Sequence, residues 1–372
     1  MKNILALFTL VLIHGCSSGG DDGGGGITSL TGQFVDSPVE GVSYVAGGFS
    51  GTTAADGSFN YGSGNSLSLT IGDIDLGDGI ARNIFTPLTL VGTANPSDTT
   101  VVNIASFLLT LDDDGDPNNG ILITEAVRAA AIGKAINFAQ STTDFANDVN
   151  VQTVVAELTA LTIAGARSLV SAAAAEAHLR STLNAILTAA LGTYTGTSVN
   201  TVFNCTDPSF NRTNLSTGSL TITSVSLNSN GATFTGNGSF SLTVDGVTVR
   251  EDFTINANSS TMDFTGTLSG TIFAEAYVDG VLEGSDSSSY TGLLDGNSLT
   301  IVTPERLNQD FGFVVCDLSG SMLDLSKTTP SSSIGCVLPS ELEGPWDATL
   351  IEGAIDGDGN PLNIDGSVST LD

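Results

Sequence analysis

The sequence predicts a mostly β protein with a helical insert: an N-terminal small β-sandwich plus helices, then an antiparallel meander barrel or sandwich. Three observations carry this. Short alternating segments broken by Gly, Pro and Asp-Gly fill residues 28–78, a helical period governs the stretch to about 192, and period 2 returns beyond Gly192. A length of 372 residues suits two or three domains, and 40% hydrophobic residues are enough to bury real cores.

Forty acidic residues oppose ten basic ones, a formal net charge of -30. Duplex binding needs a Lys/Arg stripe that releases counterions, so no nucleic acid is expected as a partner. With only two His residues, His14 and His178, a multi-His metal site is excluded and any His-dependent catalysis rests on His178.

At the N-terminus, Lys2 precedes an apolar run over Ile4–Ile13 that is too short to span a bilayer and reads as a secretion signal. The run ends in Leu12-Ile13-His14-Gly15-Cys16, which resembles the lipobox of bacterial lipoproteins. That resemblance implies a signal peptide over 1–15, cleavage before Cys16 and acylation of Cys16, so the membrane is a partner through a lipid anchor. Ser17 rather than Asp follows the Cys, which by the same analogy implies the bacterial outer membrane and leaves the membrane face open. Residues 16–27 are a Gly/Ser/Asp tether reaching roughly 17–20 Å.

The first folded segment is expected over 28–192. Thr31 to Tyr44, Thr52 to Tyr61 and Leu67 to Gly72 give strands separated by turn residues. Their order resembles the carboxypeptidase-regulatory-like (prealbumin-like) sandwiches of bacterial surface proteins, a resemblance that brings no peptidase chemistry. Val101, Ile104, Ala105, Leu108 and Leu111 then share a helical face, with cap candidates at Ser97 to Thr100.

Leu111-Asp112-Asp113-Asp114-Gly115-Asp116-Pro117-Asn118-Asn119-Gly120-Ile121 follows, and another helix starts near Thr124. Framed from Asp114, this resembles an EF-hand loop. The resemblance puts Asp114, Asp116 and Asn118 at the first, third and fifth positions and Glu125 at the twelfth. Asn119 stands where the pattern has Gly, and Gly120 can absorb the turn. Alternating Asp and Asn on a tight loop converge hard oxygens, which is what Ca2+ needs. The expected set is Asp114, Asp116, Asn118, Gly120 and Glu125, in a structural role. An acidic interhelix turn without an ion is the alternative.

Further helices follow Val151, Val154, Val155 and Leu158, then Leu179, Leu183, Ile186 and Leu187, with Gly192 as the stop. His178 lies beside the last stripe and is expected to pack or hydrogen-bond rather than catalyse. With its Leu-Asp-Asp-Asp-Gly-Asp loop and Ala-His-Leu ending, 28–192 resembles a recurring module of uncharacterised bacterial surface lipoproteins.

Over 193–328 the apolar residues alternate, as in Phe234, Phe240 and Leu242, or Val249, Phe253 and Ile255. Asn230-Gly231, Asp245-Gly246, Asp279-Gly280 and Asp295-Gly296 supply tight hairpin turns. Counting 193–205 and 311–316 gives roughly eight strands, enough to close a small barrel. A two-sheet sandwich fits the alternation nearly as well. Closure sets the first strand beside the last, which favours a Cys205–Cys316 disulfide, with a pairing through Cys336 as the alternative. Glu251 breaks the apolar phase. It either orients a ligand or pairs with Arg212 or Arg306, or else reaches water at a strand end or bulge.

Residues 329–372 read as a C-terminal β extension holding Trp346 and a second acidic turn at Asp356, Asp358 and Asn360. No Gly-x-Ser-x-Gly elbow, phosphate loop or dinucleotide fingerprint occurs. The favoured function is a non-enzymatic outer-membrane lipoprotein, a surface binding or adhesion-type module. A periplasm-facing lipocalin-like carrier of a small apolar ligand is the alternative. A hydrolase that uses acidic pairs such as Asp112 and Asp116 comes third.

Overall fold

The computed structural model describes residues 29–244, 246–310 and 315–328. Cys16, the segments expected to be a signal peptide and a tether, Cys336 and residues 329–372, with the second acidic turn expected there, lie outside these residues. Among the described residues strand accounts for 49% and helix for 22%, with six α-helices, so the mostly β expectation holds.

The chain begins with β1 (Leu30–Phe34), β2 (Val39–Glu40), β3 (Ser43–Ala46), β4 (Phe49–Thr52), β5 (Ser58–Tyr61), β6 (Ser66–Ile71), β7 (Ile74–Ile80) and β8 (Ile84–Phe85). Two small sheets result, in the orders β5-β1-β8 and β4-β3-β6-β7. Their alternating residues meet in an aromatic core, where the Phe59 ring lies 5.9 Å from Tyr44 and 6.3 Å from Phe85.

The helices are α1 (Pro87–Val91), α2 (Thr99–Leu111), α3 (Glu125–Ala130), α4 (Thr142–Asn147), α5 (Val149–Thr159) and α6 (Ala172–Thr188), with β9 (Ile121–Leu122) pairing parallel to β2. Asp98 caps α2 by accepting from the backbone amides of Thr100 and Val101. The sequence stripe gave α2 one apolar face, yet every residue from Val101 to Leu111 is buried. The polar ones are tolerated because they bond: Asn103 donates to the Phe138 and Gln140 carbonyls and Ser106 to that of Val170. Helix α6 ends at Thr188, so Gly192 is the first residue of the next strand rather than a helix stop.

The remaining strands are β10 (Gly192–Phe203), β11 (Arg212–Asn228), β12 (Gly231–Val244), β13 (Val247–Asp263), β14 (Thr267–Val278), β15 (Val281–Asp295), β16 (Ser298–Val302), β17 (Arg306–Asp310), β18 (Val315–Leu318) and β19 (Met322–Lys327). Eight of them form a closed antiparallel barrel in the order β10-β11-β12-β13-β14-β15-β16-β19, with β19 returning to β10. The barrel, not the sandwich, is therefore the architecture. Asp279 and Gly280 both take positive φ (47° and 84°), the geometry a two-residue hairpin needs to match strand twist.

The closing strand differs from expectation. Of 311–316, the described Val315 and Cys316 belong to β18, and the barrel is closed instead by β19, pairing Tyr194↔Lys327 through Val199↔Met322. The twelve residues of β10 outrun β19, and β18 takes the remaining edge at Val202↔Leu318 and Phe203↔Asp317. This register still brings Cys205 to Cys316, and the two are disulfide-bonded.

Tyr194, Phe234, Phe240, Phe253 and Tyr290 on the barrel strands are buried in the core. Gly218 lies opposite Phe240, and a Cβ there would meet the Ser239 carbonyl at 2.0 Å, so glycine lets the strands approach beneath the ring. The helical part and the barrel share one core cluster, and α6 packs on β11 and β12. A polar clamp reinforces the contact: the Asp295 carboxylate accepts from Arg82 Nε at 3.1 Å and from the Asn83 and Ile84 amides, each at 2.9 Å.

Candidate functional site

The acidic loop begins where α2 ends. Asp112 is 1% exposed. Its Oδ1 accepts from the Leu122 amide at 2.9 Å, while its buried Oδ2 has no partner. Burial pushes its pKa up to about 6; the Leu122 bond opposes this, and the neighbouring Asp114 carboxylate, within hydrogen-bond range, adds to it. Asp114 is exposed and accepts from Asn119 Nδ2 at 2.8 Å and the Asp116 amide at 2.9 Å, bonds that hold its carboxyl below the usual range. Gly115 has φ 77°, and a Cβ there would sit 2.3 Å from Arg167 Nη1. Arg167 itself donates to the Thr110 and Asp112 carbonyls, pinning the loop base.

The residues expected as ligands are spread along this loop. Asp116 caps a 3₁₀ turn over Pro117–Asn119 by accepting from the Asn118 amide and side chain. Gly120 takes φ 111°, and Glu125 stands exposed as the first residue of α3. Among the described residues no three His, Cys, Asp or Glu side chains converge as a metal centre. The carboxyls of Asp112 and Asp114 lie within hydrogen-bond range of each other. A frame starting at Asp114 leaves Asp112 out, although the alternation 112, 114, 116 is visible in the sequence.

His178 does more than pack. Its Nε2 lies 3.1 Å from Ser37 Oγ and 3.9 Å from Asp36 Oδ1. Asp36 is fully buried, neither carboxylate oxygen has a partner, and burial raises its pKa to about 7. Ser37 adopts φ 59° in the turn that brings Val35 back to Pro38. A catalytic relay needs the acid and the hydroxyl on opposite ring nitrogens. Here both approach Nε2, so this trio lacks that geometry. Only the fold, which returns α6 onto the β1–β2 turn, makes these groups neighbours.

The end of the barrel away from the helices is polar. Asn200, Arg212, Asn214, Glu251 and Asp286 take lumen-side register positions on barrel strands, and Arg306 reaches the largely exposed Asp286 from β17, outside the wall. Glu251 sits in unbroken pairing between Phe240 and Ala276, and the irregularity of β13 lies further on, after Ile255. No bulge or strand end releases it outward. It faces the lumen, where burial raises its pKa and Arg306 opposes the rise. Arg306 also ion-pairs with Asp286. Arg212 pairs with neither carboxylate: its Nε and Nη2 are buried without a hydrogen-bond partner. A separate cavity of about 240 Å³ lies where the helical part meets the barrel, and its one charged lining residue among those described, Arg82, is committed to Asp295.

Fold and site define a closed eight-stranded antiparallel barrel carried behind a β-sheet and helix module. Comparison of the chain with known protein families, characterised proteins and solved structures gives no match.

Proposed function

We propose that the chain is a non-enzymatic, outer-membrane-anchored lipoprotein, a surface binding module whose acidic loop is locked by calcium. One observation carries the calcium part. Two carboxyls, those of Asp112 and Asp114, meet at the loop base, and the buried one keeps an oxygen with no donor. Like charges in contact need a proton or a cation between them, and a hard divalent ion suits carboxylate oxygens. Asp112 and Asp114 would hold it, with Asp116 two residues further along the loop. Calcium there would tie the end of α2 to the strand pair β2–β9. The anchor rests on the lipobox-like Leu12 to Cys16 and is tested by acyl labelling of wild type against Cys16→Ser.

The calcium reading is tested by unfolding the chelator-treated chain with and without calcium. At one hundred times Kd, binding adds about 2.7 kcal/mol. Asp112→Asn and Asp114→Ala are expected to abolish that gain. If calcium leaves the wild-type midpoint unchanged, the carboxyls share a proton and the loop is a helix connector.

The alternative reading, a carrier, is favoured by the unpaired Arg212 in the barrel mouth.

A further inference from the structure

Arg212 starts β11, which pairs with β10 as Arg212↔Val202, Asn214↔Asn200 and Ser216↔Ser198. Val202, Ser198 and Asn214 are buried, so this row faces the interior, and Arg212 projects with it. Apolar neighbours surround its root: Val202 packs with the Cys205–Cys316 bridge and Leu318. Burial lowers the pKa of Arg212 to about 10, and the guanidinium is still a cation at neutral pH.

The two atoms without partners are diagnostic. The Nε–H and Nη2–H bonds lie parallel along one edge of the guanidinium, and a carboxylate or phosphate accepts both at once. That edge is buried and unmet, and buried donors left without an acceptor cost stability even though the rest of the side chain is only partly buried. Neither lumen carboxylate supplies the missing partner, since Asp286 holds Arg306 and the charge acting on Glu251 is that of Arg306.

Asn214 adds a second unmet group two residues along the same face, about 7 Å away by strand rise. It is 7% exposed, and its Nδ2 donates to Asn200 Oδ1 at 2.8 Å, which fixes the amide. Its Oδ1 is buried with no donor.

We propose that Arg212 and Asn214 form an oxyanion site inside the barrel mouth. It takes a small molecule with a carboxylate or phosphate group and a neighbouring hydroxyl or N–H donor. The anionic group lies along the Arg212 edge and the donor reaches Asn214 Oδ1. This deepens the carrier reading: it replaces a purely apolar cargo with one that has an anionic end, because the unmet groups are a cationic edge and an amide oxygen. It requires neither the anchor nor calcium.

The test is calorimetric titration of the full chain with lactate, propionate and inorganic phosphate. Saturable one-to-one binding of lactate or of phosphate is expected, and the anion that binds identifies the group. Arg212→Gln is expected to weaken it tenfold or more, and Arg212→Lys by less, because a point charge replaces the fork. For a carboxylate ligand, Asn214→Ala is expected to weaken lactate but not propionate. A second readout uses the unliganded protein: Arg212→Gln removes a charge whose Nε–Nη2 edge is buried without a partner and is expected to raise the melting temperature. If Arg212→Gln does not fold, the Arg212→Lys titration decides alone. Absence of saturable binding by any of the three anions, or equal binding in the folded Arg212 variants, overturns the proposal. Arg212-dependent binding in a chain that takes up no calcium and carries no acyl group leaves this site standing while the surface-module reading falls.

Discussion

Replacing Asp36 by Asn is expected to stabilise the protein by about 4 kcal/mol at pH 8 and to leave it nearly unchanged near pH 4. The carboxyl is fully buried with neither oxygen bonded, and its pKa rises from 3.8 to about 7, a shift worth about 1.4 kcal/mol per unit. A folded-state value above the unfolded one means that the native chain keeps a proton which the unfolded chain has released. Stability therefore falls as pH rises from about 4 to 7, and the full cost is present above 7. His178, the titratable group facing it, works in the opposite direction. Burial depresses its pKa, so its contribution is lost as pH falls, and Asn at position 36 leaves that part in place. The assay is urea unfolding of both chains in chelator at pH 5, 6, 7 and 8. The difference between them is expected to widen by about 1.4 kcal/mol per pH unit up to pH 7. A variant less stable than wild type at pH 8 would refute this reasoning, because it would mean that a charged His178 or a bound cation neutralises Asp36.

Asp295→Ala is expected to cost about 3 kcal/mol, because Arg82 Nε and two backbone amides lose their acceptor in a half-dry contact. Chemical denaturation measures it, and a loss below 1 kcal/mol would show that the clamp is dispensable. Reduction of Cys205–Cys316, which closes a 111-residue separation, is expected to cost about 2–5 kcal/mol. Because β19 closes the barrel independently, hydrogen exchange is expected to accelerate first in β17 and β18, and uniform acceleration around the barrel would contradict that.

Much of the strand content was legible because its signals are local. Phe234, Phe240 and Leu242 alternate whether or not a barrel closes, and Asp279-Gly280 demands a hairpin wherever it stands. Alternation fits a sandwich nearly as well, so the strand count suggested closure without deciding it. It depends on β19 finding β10 across more than a hundred residues. The Cys205–Cys316 pairing was anticipated through the wrong closing strand, since β18 and β19 share one edge of β10. The acidic loop shows a similar limit. Counting twelve residues back from Glu125 selects Asp114 as the start, whereas burial at the helix end makes Asp112 its partner.

Composition and period settle the class of this chain: acidic, mostly β, with a helical stretch between two β regions, because hydrophobic spacing and turn chemistry act over a few residues. Long-range packing makes the sites. Asp36 meets His178 only when α6 returns to the first turn, and Arg212 is left without a counter-charge only when the wall closes around it. Whether a charge is buried, and what it faces, depends on segments far away in the chain. An Arg at the start of an alternating strand looks like any solvated residue until the fold buries one edge of its guanidinium.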